Sequence, residues 1–138
     1  MRVDRLTLRN FTAFEAADLT FSPGLNVFIG ANGTGKSHIL KVLFGITRPM
    51  LIAGSLARDN THWDLGEMLS SAILQKFETL FRPEATHSVL EPLIRHGAQT
   101  TDISAYGDFG TTVLRFGATN VKTQVPRLRA VDGLSVFV

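Results

Sequence analysis

Residues 25–37 read Leu-Asn-Val-Phe-Ile-Gly-Ala-Asn-Gly-Thr-Gly-Lys-Ser. The last eight fill the pattern G-x-x-x-x-G-K-[S/T] with Gly30, Ala31, Asn32, Gly33, Thr34, Gly35, Lys36 and Ser37. The glycines let successive backbone N–H groups turn inward around an anion with no Cβ in the way. A lysine at the sixth step past the first glycine reaches the outer phosphates as a point charge, and the next hydroxyl can ligate Mg²⁺. A helix that starts here points its positive end at the anion. The pattern needs a strand before it and a helix after it. The 25–29 run is apolar and rich in β-formers, as expected of a buried parallel strand. Beyond it Ile39 and Leu43, and Leu40 and Phe44, are spaced to share one helical face. Both flanks therefore predict a loop that binds a nucleoside triphosphate.

The rest of the chain supports a single ordinary domain. It has 138 residues, enough to bury a real core, and an apolar share of 44%, usual for a soluble globular protein. It has no cysteine, which excludes disulfides and thiolate metal sites and agrees with a reducing cytosol. Residues 1–9 hold no signal-peptide core and no apolar run is long enough to span a bilayer, so the expected setting is cytoplasmic and no membrane partner is expected. The net charge of +2 decides nothing. Its distribution says slightly more: Arg115, Lys122, Arg127 and Arg129 follow one another with no acidic residue between. The plain reading is a solvated strand face; the sharper one is a modest nucleic-acid contact, with DNA a candidate that little else supports.

Upstream of the loop, residues 2–11 read as a strand with Leu6 and Leu8 on one face, and 14–21 alternate as a second strand. The short Thr12-Ala13 link makes them an antiparallel pair. Ser22-Pro23-Gly24-Leu25 fits a type II turn. Downstream, a helix from about Gly35 is weakened at Gly45 and ended or kinked by Pro49 near Arg48, with a further helical piece at 50–53. Residues 54–62 read as a loop. Asp64 is a candidate N-cap with Glu67 as its capping-box partner, opening a helix to about Phe81 that Pro83 stops. A shorter helix is expected over 88–96, ended by Gly97. Then come four expected strands, 100–106, 111–117, 121–127 and 134–138, with a hairpin connection at Gly107-Asp108-Phe109-Gly110. The chain stops within the last of these, as a fragment or a truncated product would.

The run Leu6-Thr7-Leu8-Arg9-Asn10-Phe11, then Phe14, then residues 24–37 together resemble the opening of an ABC-type ATPase head of the RecF, Rad50, SMC and OLD-nuclease branch. Asn32 in G-x-N-G-x-G-K-[S/T] is typical of that branch. Residues 77–83 and 93–97 are more weakly similar to prokaryotic stand-alone AAA/ABC-like ATP-binding proteins, in which a β-rich insertion follows the helices and the next strand returns to the core. The resemblance implies an α/β P-loop NTPase fold, present as its N-terminal half. The expected parts are 1–53 (strand pair, loop and first helix), 63–97 (helical) and 99–138 (β-rich). It implies ATP and Mg²⁺ as ligands and a second head, in a homodimer, as partner. Lys36 is then the catalytic residue of the loop and Ser37 the metal ligand. Arg9 and Asn10, by analogy with the Asn-Phe element, approach the nucleotide. His38, next on the helix, goes with the loop as a nucleotide-side candidate, against the plainer reading of a packing residue.

The departures are as informative. A head of this class carries a Walker B strand of four apolar residues ending in Asp-Glu, and a signature helix. No acidic residue here follows four apolar ones, and no L-S-G-G-type sequence is present. Gln75, Gln99 and Gln124 are each conceivable as the Mg²⁺-touching glutamine that the resemblance implies, the alternative being one beyond Val138. His62, His87 and His96 have no partner at metal-ligand spacing. The expectation is an ATP-binding part of an ATPase whose hydrolysis needs residues from elsewhere. The alternatives are a module that senses ATP without hydrolysing it and, less well supported, a P-loop kinase or GTPase. A GTPase would need a guanine-reading N-K-x-D, which is absent.

Overall fold

The computed structural model describes residues 1–56, 65–81, 90–117 and 120–125. The first strand, β1 (Val3–Phe11), pairs antiparallel with β2 (Phe14–Thr20) in a register that puts Leu6 opposite Leu19 and Leu8 opposite Ala17. Leu6, Leu8 and Phe11 are fully buried, while the alternate residues Arg5 and Arg9 face solvent. This is the alternation of a strand with one face on a core.

The helices follow. α1 (Lys36–Leu56) runs through Pro49 without ending, where a stop or kink near Arg48 was expected. Its buried residues Ile39, Val42, Ile46, Met50 and Ala53 form one continuous stripe on both sides of the proline. Burial of Met50 and Ala53 offsets the hydrogen bond that Pro49 cannot make. Gly45 is a packing device in this helix. A Cβ there would lie 2.8 Å from the ring of Phe77, which is buried on α2 (Leu65–Phe81). Leu69, Ile73 and Phe77 of α2 join the α1 stripe and the inner face of the sheet in one cluster. The expected N-cap Asp64, the stop at Pro83 and most of the 54–62 loop lie outside the described residues.

The helix expected over 88–96 is replaced, in its described part, by a single 3-10 turn, Glu91–Leu93, followed by extended Ile94. The chain leaves helical conformation at Ile94, with φ −75° and ψ 132°. The backbone beyond is bonded to β1: the Thr12 N–H donates to Leu93 O at 2.9 Å, the Arg95 N–H donates to Asn10 O at 2.8 Å, and Ile94 bridges Phe11.

β3 (Thr100–Gly107), β4 (Gly110–Gly117) and β5 (Val121–Gln124) then complete a five-stranded antiparallel sheet of order β2-β1-β3-β4-β5. Gly107 pairs with Gly110 around the expected hairpin, and β3 lies directly on β1, Leu8 opposite Ile103. The β-rich segment, expected as an insertion after the helices, thus extends the sheet begun by the strand pair. Residues 126–127, expected in β5, and the expected strand 134–138 lie outside the described residues.

Two expectations before the loop are overturned. Gly24 lacks the positive φ of a type II turn. The Asn26 carboxamide organises this bend instead: its oxygen accepts the Ser22 N–H at 2.9 Å, and its nitrogen donates to Ser22 O at 3.0 Å and Gly24 O at 3.1 Å. Short amide side chains commonly substitute for backbone turn bonds in this way. The 25–29 run, expected as a buried parallel strand, is in no ladder. Leu25, Val27 and Ile29 are 88%, 67% and 93% exposed. Only Phe28 is partly buried, its ring edge-on to Phe21 at 6.3 Å. No described strand lies beside this run, and a strand without a neighbour has neither ladder bonds nor a face to cover it.

Candidate functional site

The 30–37 loop leaves the exposed 25–29 run and enters α1 at Lys36. Gly33 and Gly35 have φ of 81° and 90°, conformations that side chains strongly disfavour. At Gly35 the space is closed as well: a Cβ would lie 2.5 Å from the ring of Phe14. The loop also bonds to itself. The Lys36 ammonium donates to Gly30 O at 2.7 Å and Ala31 O at 2.6 Å, and the Thr34 hydroxyl donates to Ala31 O at 2.9 Å. The lysine charge is thereby held among the loop carbonyls, and these contacts draw the loop into a tight ring. His38 and Ile39 N–H groups donate to Gly35 O, closing the first turn of α1. Ala31, Asn32, Gly33, Thr34 and Ser37 are exposed. A cationic amine inside a glycine-rich ring, at a helix start, with a hydroxyl beside it, suits a polyphosphate and an accompanying hard cation.

The other expected site residues are placed differently. His38 turns toward the strand pair: its Nδ1 and the Thr12 hydroxyl share a hydrogen bond of 2.8 Å. Its ring also meets Phe11 and Phe81 edge-on, at centroid distances of 6.2 and 5.6 Å. Burial first, and then the nearby Lys41 ammonium, hold its pKa below the ordinary 6.5, which favours the neutral ring. The backbone oxygen of Asn10 accepts the Arg95 N–H and the Thr101 hydroxyl, the latter at 2.6 Å. Arg9 stands on the outer face of the sheet, in a shallow depression that also holds Arg5, Asp18, Asp102 and Arg115. Gln75, Gln99 and Gln124 lie on α2, before β3 and at the end of β5, all exposed. Among the described residues no group of three or more His, Asp or Glu is placed to hold a metal, and no helix is long and apolar enough to cross a membrane.

Sequence reading did not single out Phe14 and Thr12 for this neighbourhood. The available signal was only that a two-residue link, Thr12-Ala13, closes the strand pair that precedes the loop in sequence.

Comparison with known proteins gives the family context. The AAA ATPase domain family matches residues 1–61. A stretch of 43 residues is 51% identical to the DNA replication and repair protein RecF of Magnetococcus marinus. Stretches of 44 residues are 46% identical to the RecF proteins of Lacticaseibacillus casei and Escherichia coli. These stretches are 31% to 32% of this chain and 11% to 12% of the relatives' length. In its N-terminal part, therefore, the chain is similar to the AAA ATPase domain family and to RecF proteins.

Proposed function

We propose that the chain binds Mg-ATP through the 30–37 loop, as the N-terminal part of an ABC/SMC-like ATPase head. The observation that carries this reading is the loop's geometry: two positive-φ glycines lead into α1 at Lys36, whose ammonium already sits inside the ring. The backbone N–H groups of 32–37 would hold phosphate oxygens at the positive end of the helix. Lys36 would release its two carbonyls for the outer phosphates and offset charge developing on the transferred phosphoryl group. Ser37 would ligate Mg²⁺, an ion that keeps several waters and takes phosphate oxygens for most of its other positions. ATP supplies the phosphoryl group; water activation needs an acidic base from a further segment or from a second head in a homodimer.

Lys36→Ala tests the reading. Its side chain bonds only within the loop, so the variant should melt like the wild type. Loss of charge-assisted bonds to phosphate should weaken Mg-ATP binding about a hundredfold in calorimetric titration. Equal affinity would remove the site assignment. The 138 residues alone should show negligible turnover.

A second reading concerns nucleic acid, suggested by the relatives' role in DNA replication and repair. On the outer face of the sheet Arg9, Asp102, Arg115 and Lys122 form one cross-strand row. Asp102 holds Arg115, while Arg9 and Lys122 have no ion-pair partner among the described residues. Such a row would meet a phosphate backbone without reading sequence. The double variant Arg9→Ala/Lys122→Ala should weaken duplex DNA binding and lower the salt slope by about two. An unchanged slope would dismiss this face.

A further inference from the structure

Two residues at the turn between β1 and β2 hold backbone conformations that their side chains disfavour: Asn10 at φ 50° and Thr12 at φ 48°. Asparagine tolerates this region, but a β-branched threonine does so at a steric cost. Such a conformation persists only where the surroundings over-determine it. Here they do. Asn10 O accepts two hydrogen bonds, from the Arg95 N–H and the Thr101 hydroxyl, and the Thr12 N–H is taken by Leu93 O. Phe11, between them, is fully buried. The turn held in this way is aimed at the start of α1. Thr12 bonds His38, one residue beyond Ser37, and Phe14 lies against Gly35, one residue before Lys36.

A glycine-rich ring that must present several N–H groups at once needs support from outside itself. Ala31, Asn32, Gly33 and Thr34 are exposed, so that support acts at the other end, over 35–38. We propose that the strained β1–β2 turn is the brace that sets the geometry of the phosphate loop, with Thr12 and His38 as positioning residues that do not touch the nucleotide. The proposal rests on the reading of 30–37 as the ATP site.

Three variants of the full chain at Thr12 separate bracing from plain packing. Thr12→Val keeps the shape and the strain but loses the hydroxyl. Thr12→Ser keeps the hydroxyl. Thr12→Gly relieves the strain and loses the hydroxyl. The valine and glycine variants should bind Mg-ATP about three- to tenfold more weakly, the cost of one lost hydrogen bond, and serine within about twofold of wild type. Thr12→Gly should nevertheless melt no lower than wild type, so affinity and stability part company. Amide exchange over 32–37 without nucleotide should quicken in the valine and glycine variants and not in the serine variant. Wild-type affinity together with wild-type exchange in Thr12→Val overturns the brace. If the wild-type chain itself binds no ATP, the site reading fails, and the exchange rates still decide the brace: quickened exchange sustains it and unchanged exchange ends it.

Discussion

The 25–29 run and β1 are both short apolar segments with strong β character, yet they end in opposite conditions. Leu6 and Leu8 of β1 are fully buried between ladders on both sides, whereas Leu25, Val27 and Ile29 project into solvent with no described strand beside them. Composition therefore does not make a strand. β1 has a neighbour at two residues' distance in β2 and another in β3, and α1 and α2 complete the cluster on its inner face. Among the described residues, the run before the loop is held by the Asn26 bend, by the Phe28 ring on Phe21 and by its entry to the 30–37 ring.

The contrast can be tested by substitution. Phe77→Ala, in the packed half, removes the ring that fills the space over Gly45 and should cost about 3–5 kcal/mol in denaturant unfolding. Gly35→Ala joins the halves: it forces a Cβ against Phe14 at a positive φ, and should cost about 1–3 kcal/mol as well as weakening Mg-ATP. Val27→Ser, in the exposed run, should stay within about 0.5 kcal/mol of wild type. A larger loss would mean that the run is covered in solution.

The smallest effect expected is a pH dependence from His38. Its pKa is lowered in the folded chain, so between that lowered value and the ordinary 6.5 the unfolded state binds more protons. Its contribution to stability is full above 6.5 and declines as pH falls through that window. The groups packed on it, Thr12, Phe11 and Phe81, do not titrate, and Lys41 stays charged throughout. His38→Gln should flatten this part of the melting profile. An unchanged profile would show that the imidazole does not titrate differently on folding.

Much of the molecule was legible because its signals were local. Alternation gave β1 and β2, and the Gly107–Gly110 connection gave the β3–β4 hairpin. Helical spacing gave the Leu69, Ile73 and Phe77 stripe. What was not legible depended on distant partners. Pro49 reads as a stop or a kink with a separate helical piece at 50–53, whereas α1 runs on as one helix because Met50 and Ala53 have a core to enter. Residues 91–95 read as helix, but β1 takes their backbone groups. The placing of β3 on β1 could not be read from either strand. For the site, the loop pattern was plain, because each glycine and the lysine have a spacing-bound purpose. The turn that packs on it was hidden, because Thr12 and Phe14 act only through side chains meeting Gly35 and His38 in space.

The proposed function stands or falls with nucleotide binding at the 30–37 loop. Hydrogen exchange of the full chain, with and without Mg-ATP, tests it most directly. Protection is expected to centre on the amides of 31–38, with little change over β3 to β5. ATP bound without protection of that loop, or with protection centred elsewhere, would contradict it.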